Sequence, residues 1–231
     1  MGIKHIFFDL DRTLWDFETN SHNELIHLFN HFNLHQLGIS LPEEFIKIYK
    51  KINEECWEKY RNNALTKEKL RSERFNLTLL YFGIDNQGLS EDIGNAYVAN
   101  SPYRTKLIKG TIDLLQELNK VYSLHIITNG FEEVQHIKMN QSGLSKYFDN
   151  VITSEAAGAK KPSPLVFEYA MKKSDANLDE SVMIGDDLNT DISGAINFGI
   201  KAIYYNPSSI KHTFFPWKEV KSLMEIKDIL I

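Results

Sequence analysis

The 231-residue sequence has a single cysteine, Cys56, so it can form no disulfide within the chain and offers no cysteine pair to a metal. It has no block of basic residues and a formal net charge of -5, which disfavours binding to a nucleic acid polymer. No apolar run approaches the length that spans a bilayer, and the first residues match neither a secretory nor a myristoylation signal. We expect a cytoplasmic protein with no membrane partner, present as a monomer or a homodimer.

The sequence does contain enough apolar side chain for a packed core. Hydrophobic residues make up 42% of the chain and aromatic residues 12%, which argues against disorder. A chain of this length exceeds the commonest size of one domain, yet it is short for two complete domains. We therefore predict one core domain that carries a smaller insertion.

The most informative stretch follows the apolar run at residues 3–8, which is directly succeeded by Asp9, Asp11 and Thr13. The run predicts a strand buried on both faces of a parallel sheet, and the carboxylates would lie at its carboxyl end, where open α/β sheets bind ligands. Two carboxylates this close must share a cation or hold a proton. The alternative is an Asp-rich turn in which Asp11 or Thr13 caps the next helix.

After Trp15 the pattern becomes helical for about eighty residues. We predict an inserted helical domain over residues 17–104 and a core formed by residues 1–16 and 105–231. The segment Ser40-Leu41-Pro42-Glu43 is interpreted as a capping box, and Thr66 as the N-cap of a helix that ends at Gly83. The apolar spacing places two further helices at residues 18–35 and 90–100.

Two aromatic residues, Trp15 and Phe17, lie at the expected hinge a few positions after the paired carboxylates. Apolar walls are typical of small-molecule pockets. We therefore take Trp15 and Phe17 as candidates for contact with a substrate.

From residue 106 onward, helix and strand patterns alternate, which is typical of a doubly wound parallel sheet of the Rossmann-like α/β class. Strands are predicted at residues 124–127, 150–153, 181–185 and 200–205, followed by a loop and a terminal helix. The first of these ends in Thr128-Asn129-Gly130, whose hydroxyl, amide and glycine can cradle a phosphate oxygen. The strand at residues 181–185 is followed by Asp186, Asp187 and Asp191.

A lysine precedes proline in the segment Lys160-Lys161-Pro162. The residue before a proline is held in a stiff, extended backbone, which suits a point charge aimed at a phosphoryl group. The alternative is a surface lysine on a loop. Of the two lysines, we predict that Lys161 is the functional one.

Parallel strands bring all their carboxyl ends to one edge, so these four groups of residues should converge. The combination resembles the haloacid dehalogenase superfamily, whose four motifs match Asp9/Asp11/Thr13, Thr128, Lys161 and Asp186/Asp191 in this sequence. Residues 7–20 and the segment after Ile127 look like the bacterial pyrimidine 5′-nucleotidase subfamily. Arg12 stands where many members of the wider superfamily have glycine.

This resemblance implies a phosphatase with an α/β core, a helical cap and Mg²⁺. Asp9 would be the nucleophile, Asp11 the acid and base, and Thr128, Asn129 and Lys161 the groups that hold the phosphoryl oxygens. Mg²⁺ would be bound by the Asp9 and Asp186 carboxylates, which are hard oxygen ligands, and by the main-chain carbonyl of Asp11. Thr13, Asp187 and Asp191 would support this set. The substrate would be a small phosphorylated metabolite, a pyrimidine nucleoside monophosphate.

Other functions remain open at this stage. The chain could be a phosphatase or a mutase acting on a small sugar phosphate, or a metal-independent haloacid dehalogenase, although Asp11 and Asp186 argue against the dehalogenase because it needs neither. A catalytically silent protein that binds a phosphorylated ligand is the non-enzymatic alternative.

Overall fold

The structure is a computed structural model that describes residues 2–231, so Met1, the first residue of the predicted core, lies outside it. The chain divides into two compact units, one formed by residues 2–17 with Thr105–Ile231 and the other by Glu18–Arg104. The first crossing between the units therefore follows Phe17, one residue later than the sequence predicts. None of the described helices has both the length and the apolarity needed to cross a membrane.

The first unit contains a sheet that has six parallel strands within the described residues, in the order β3-β2-β1-β4-β5-β6. This confirms the predicted α/β class. The strands are β1 (His5–Phe8), β2 (Ser123–Thr128), β3 (Asn150–Thr153), β4 (Ser181–Gly185), β5 (Lys201–Tyr205) and β6 (Lys218–Val220). The α-helices of the same unit are α5 (Thr111–Leu118), α6 (Glu132–Gln141), α7 (Ser154–Ala157), α8 (Pro164–Ser174), α9 (Ser193–Phe198) and α10 (Leu223–Leu230).

Strand register brings the carboxyl ends of β1, β2 and β4 to within two residues of one another. Phe8, the last residue of β1, pairs with Ile126 of β2 on one side and with Ile184 of β4 on the other. Asp9 continues the ladder by donating its backbone N–H to the Ile184 carbonyl at 2.9 Å. The residues that follow β1, β2 and β4 therefore leave the sheet at one edge.

Each face of the sheet carries its own apolar core. On one face, Phe8 and Ile126 pack among residues of α5 and α10, including Leu115 and Ile226. On the other, Phe7 and Met183 pack with residues of α8 and α9, and Phe167 is one of these. Burial on both faces explains why the strands read as continuous apolar runs in the sequence.

The second unit is helical, with its own core centred on aromatic side chains such as Phe45, Tyr49 and Phe75. The Thr66 hydroxyl accepts the Lys69 backbone N–H, which confirms the predicted N-cap. The predicted capping box at Ser40 is wrong, because the N-cap is Leu41, which makes no side-chain cap, and Pro42 occupies the first turn. The helices assigned to this segment are α1 (Phe17–His31), α2 (Pro42–Arg61), α3 (Lys67–Tyr81) and α4 (Gln87–Asn100).

Several elements differ from the sequence prediction, among them α1, which ends at His31 rather than at residue 35. Helix α4 begins at Gln87 rather than Ser90, because the Asn86 side chain caps it by accepting the Leu89 N–H at 3.0 Å. Strand β6 was not predicted, since a three-residue segment with two charged residues has no apolar run. It pairs with β5 at the edge of the sheet, where such a short charged strand is common.

A buried histidine in β2 gives the fold a testable pH dependence. His125 lies 4.8 Å from the Phe7 ring, between centroids, and 3.2 Å from a ring nitrogen of His5. Burial, together with the neighbouring His5, lowers the pKa of His125 from 6.5 to about 4. Between these values the unfolded chain binds the proton and the folded chain does not, so stability rises with pH.

We therefore expect His125→Asn to remove part of the stability loss that accompanies acidification from pH 6.5 to 4. The histidine contributes up to about 3 kcal/mol to the free energy of unfolding over this window. Urea unfolding at several pH values would measure the slope. The same replacement at His136, which is exposed on α6, controls for the loss of one imidazole. An identical slope in wild type and His125→Asn would contradict this account.

Candidate active site

The site lies at the edge of the sheet where β1, β2 and β4 end, and it is built around one buried cluster of charged side chains. Lys161 lies in the loop between α7 and α8, and its Nζ is 2.5 Å from Oδ1 of Asp9 and 2.7 Å from Oδ1 of Asp191. Asp9, Asp186 and Asp191 each present a carboxylate oxygen, and these oxygens all lie within 4.8 Å of one another. Two strand ends, those of β1 and β4, and one loop therefore converge within a few ångströms, as predicted for Asp9, Lys161 and Asp186.

Lys161 uses all its hydrogen-bond donors inside the protein. Besides the two carboxylates, its Nζ donates to the backbone carbonyl of Ile127 at 2.7 Å. An ammonium group has three donors, and three acceptors are present. In this arrangement Lys161 holds the Asp9 carboxylate and compensates its negative charge. Its predicted contact with phosphoryl oxygens would require one of these three bonds to be exchanged.

Asn129 holds the main chain of Lys161 in place. Its Oδ1 accepts the backbone N–H of Lys161 at 2.8 Å, and its Nδ2 donates to the carbonyl of the same residue at 3.0 Å. Both ends of the amide are thus engaged by one peptide segment. The structure thus gives Asn129 a role in positioning the lysine, and its contact with a phosphoryl oxygen stays a prediction.

Burial governs the electrostatics of the cluster. It raises the pKa of Asp9 from 3.8 to about 7, and the charges of Asp191 and Asp11 add to this while Lys161 opposes it. The pKa of Asp186 lies well above its ordinary value through burial and the charge of Asp9. Burial alone would lower the pKa of Lys161, yet the charges of Asp191 and Asp9 outweigh burial and raise it.

The cluster fits a divalent cation. When ionised, three carboxylates and one ammonium group leave two uncompensated negative charges in a buried space. Carboxylate oxygens are the ligands that Mg²⁺ prefers, and a cation relieves the mutual repulsion of buried acids. Thr13 orients one of them, since its hydroxyl donates to Oδ1 of Asp186 at 3.1 Å. Asp9, Asp186 and Asp191 could therefore hold such an ion.

Thr128, the last residue of β2, is prepared to donate a hydrogen bond. Its hydroxyl oxygen accepts the Gly130 backbone N–H at 3.1 Å and the Nε2 of Gln135 at 2.6 Å. With both lone pairs engaged, only the hydroxyl hydrogen remains to contact another group. This arrangement suits a phosphoryl oxygen, the role predicted for Thr128.

The Asp11 carboxylate is held by two residues that the sequence analysis missed. Lys138 Nζ lies 2.6 Å from Oδ1 of Asp11, and Gln135 Nε2 donates to Oδ2 at 2.9 Å. Both donors come from α6 at spacing i, i+3, which places them on one helix face. This spacing was the available signal in the sequence, and it does not by itself distinguish a buried helix face from a solvated one.

The family model for haloacid dehalogenase-like hydrolases matches residues 3–199. The chain belongs to this family. Among relatives of this hydrolase, pyrimidine 5′-nucleotidase PynA of Streptococcus pneumoniae is 31% identical over 234 residues, which cover 100% of this chain and 96% of PynA. Pyrimidine 5′-nucleotidase YjjG of Escherichia coli is 31% identical over 233 residues, with 97% of this chain and 96% of YjjG covered.

A solved structure agrees with the family assignment of this haloacid dehalogenase-like hydrolase. The HAD-hydrolase YfnB from Bacillus subtilis, bound to magnesium, superposes with a TM-score of 0.90 and 27% identity, covering 100% of this chain and 99% of that one. The predicted resemblance to the superfamily is therefore confirmed.

Two aromatic candidates have different environments in the hydrolase. Trp15 is only 1% exposed and belongs to the apolar core. The Nζ of Lys138 lies 4.2 Å from the centre of its ring, a cation–π contact. Contact between Trp15 and a substrate stays a prediction. Phe17 is partly buried, and the guanidinium of Arg12 lies 4.5 Å from its ring centre.

In the loop after β4 of this hydrolase, Asp187 and Asp191 make different contacts. Asp187 accepts the backbone N–H groups of Asn189 and Thr190 at 2.8 and 3.1 Å, so its carboxylate caps the turn. Asp191 contacts Lys161 directly. Gly185 permits this approach, because a Cβ there would lie 2.2 Å from Oδ2 of Asp191.

Proposed function

We propose that this hydrolase is a Mg²⁺-dependent phosphomonoesterase that acts through an aspartyl-phosphate on Asp9. The observation that carries the proposal is the cluster of the Asp9, Asp186 and Asp191 carboxylates, two of which pair with Lys161, while Asp11 is held separately by its own cation. A phosphate monoester is an anion, so an anionic nucleophile needs positive charge beside it. Bound Mg²⁺ would supply that charge and polarise a phosphoryl oxygen.

In the proposed first step, a carboxylate oxygen of Asp9 attacks phosphorus while the bond to the leaving oxygen breaks. Lys161 is bonded to Oδ1 of Asp9, which leaves Oδ2 as the attacking atom. Asp11 gives its proton to the leaving oxygen, and the Thr128 hydroxyl donates to the transferring phosphoryl group. In the second step Asp11 accepts a proton from water, whose oxygen attacks phosphorus and releases phosphate from Asp9.

Pyrimidine nucleoside monophosphates are the proposed substrates, with UMP, dUMP and dTMP as the candidates. Support comes from PynA and YjjG, both named pyrimidine 5′-nucleotidases and both aligned over nearly the whole chain. A phosphatase or mutase for a small sugar phosphate would use the same catalytic groups and is the main alternative.

A metal-independent dehalogenase is less consistent with the site. Halide leaves without receiving a proton, so such an enzyme has no use for Asp11. In this chain Asp11 has two dedicated partners, Lys138 and Gln135. A dehalogenase would likewise have no use for the acidic cluster that Asp186 completes.

The test is phosphate release from nucleoside monophosphates, sugar phosphates and 4-nitrophenyl phosphate, with Mg²⁺ and then with EDTA. We expect EDTA to lower the rate at least about 100-fold and added Mg²⁺ to restore it, because metal stabilisation of the charge is worth several kcal/mol. The highest kcat/KM should be found with UMP, dUMP or dTMP. A preference for sugar phosphates would retain the mechanism and reject the nucleotidase. No phosphate release from any compound would favour a mutase or a silent binding protein.

A further inference from the structure

We propose that Lys138 and Gln135 are positioning residues that hold the carboxyl group of Asp11 for proton transfer to the leaving oxygen. This inference rests on the proposed phosphatase function and adds two residues from α6 to its machinery. The family motifs that the sequence matches do not include them.

The contacts fix Asp11 at both of its oxygens. Lys138 Nζ lies 2.6 Å from Oδ1, and Gln135 Nε2 donates to Oδ2 at 2.9 Å, so the carboxyl group cannot rotate without breaking one contact. Each donor is itself anchored. Lys138 rests over the buried ring of Trp15, and Gln135 bonds the Thr128 hydroxyl at 2.6 Å.

Gln135 connects the acid to the predicted phosphoryl-binding group. The two hydrogens of its Nε2 reach Asp11 and Thr128, so one amide sets the distance between these two functional side chains. Its side chain is fully buried, and its Oε1 has no hydrogen-bond partner among the described residues. A buried amide that leaves its oxygen unpaired is costly, which favours a functional reason for keeping it.

The backbone before α6 is shaped to admit this glutamine. A Cβ at Gly130 would lie 2.1 Å from Nε2 of Gln135, which is closer than any real contact. The turn after β2 therefore needs glycine at this position for the amide to reach Asp11.

Burial of Lys138 in this position also calls for an explanation. The residue is only 5% exposed, and lysine is rarely buried unless its charge is paired. Its partner is Asp11, and its ammonium nitrogen lies 4.2 Å from the ring centre of Trp15 and 5.9 Å from that of Phe17. The charge is thus dedicated to the residue that must transfer a proton.

The chemistry provides a readout that a merely structural role would not change. When Asp9 attacks UMP, the departing 5′ oxygen must receive the Asp11 proton as its bond to phosphorus breaks. When Asp9 attacks 4-nitrophenyl phosphate, 4-nitrophenolate leaves as a stable anion and needs no proton. The ratio of kcat/KM for these two substrates reports the protonation alone, because kcat/KM covers only the steps up to formation of the phosphorylated Asp9.

We expect Lys138→Met to lower kcat/KM about 100-fold with UMP and less than about fivefold with 4-nitrophenyl phosphate, which is the range for a general acid. Lys138→Arg, which keeps a cation over Trp15, should recover most of the UMP activity. Lys146→Met is the matched control, because Lys146 also lies over an aromatic ring, that of Tyr147, but is exposed and away from the site. Its two kcat/KM values should equal those of the wild type.

Equal losses with both substrates would overturn the inference and assign Lys138 to packing. If Lys138→Met does not fold, judged by thermal unfolding, Gln135→Met decides the question with the same pair of substrates and the same expected change in ratio. A wild-type chain that hydrolyses both compounds while neither variant changes the ratio refutes the positioning role alone. A wild-type chain that hydrolyses neither refutes the proposed function and this inference with it.

Discussion

Replacing Asp9 by asparagine is expected to abolish phosphate release, with kcat at least about 10⁴-fold lower, since the nucleophile itself is removed. The amide oxygen of asparagine is a poor nucleophile and carries no charge to attract a cation. The nearly isosteric side chain should leave the sheet intact, because Asp9 ends β1 through a backbone hydrogen bond that asparagine retains. Activity with UMP and 4-nitrophenyl phosphate and circular dichroism would test both parts.

Asp9→Asn, which should abolish activity, should not lower the stability of the fold. The pKa of Asp9 rises on folding from 3.8 to about 7, so the folded chain holds a proton that the unfolded chain has lost, and stability falls as pH rises through this window. In EDTA at pH 8, Asp9→Asn should therefore be at least as stable as the wild type. Asp175→Asn is the control, because Asp175 is exposed in a left-handed conformation that asparagine accepts. Substantial residual phosphatase activity in Asp9→Asn would refute the nucleophile assignment.

Lys161→Met is expected to lower kcat by about 10³-fold and to destabilise the fold by about 3–5 kcal/mol. The ammonium group compensates two buried carboxylates, and its loss leaves Asp9 and Asp191 without their shared cation. The nucleophile would also lose the contact that fixes its Oδ1. Steady-state kinetics and urea unfolding would measure the two effects.

Two further variants distinguish the loss of the Lys161 charge from a general disruption of the loop. Lys160→Met changes the neighbouring, less buried lysine and should keep kcat within about twofold of the wild type, since its side chain is not part of the cluster. Adding Asp191→Asn to Lys161→Met removes one unpaired carboxylate and should restore part of the lost stability. A Lys161→Met enzyme with unchanged kcat and a raised KM would show that the lysine only binds substrate.

The sheet edge was the most predictable part of the molecule. The predicted bounds of β3 and β4, residues 150–153 and 181–185, match the structure. Strands buried on both faces give continuous apolar runs that end abruptly, and parallel topology brings those ends together. The positions of Asp9, Lys161 and Asp186 in one cluster follow from that rule.

What the sequence did not predict depends on contacts between distant segments. Gln135 and Lys138 reach Asp11 across more than a hundred residues of sequence, and their spacing on α6 equally suits a solvated helix face. Asn129 and Trp15 were assigned to the substrate because of their positions. The structure shows that the amide of Asn129 holds the Lys161 backbone and that the ring of Trp15 supports Lys138. Neither could be inferred without knowing which loops approach each other.

The strand order has a consequence for how the protein opens. Strand β1 is hydrogen-bonded to β2 on one side and β4 on the other, whereas β3 and β6 lie at the two edges of the sheet. Amide hydrogens at an edge exchange with water through local fraying, but those of a central strand exchange only when the sheet separates. Asp9, the proposed nucleophile, thus follows a strand with a hydrogen-bonded neighbour on each side, and the amides of β1 should exchange more slowly than those of β3 and β6.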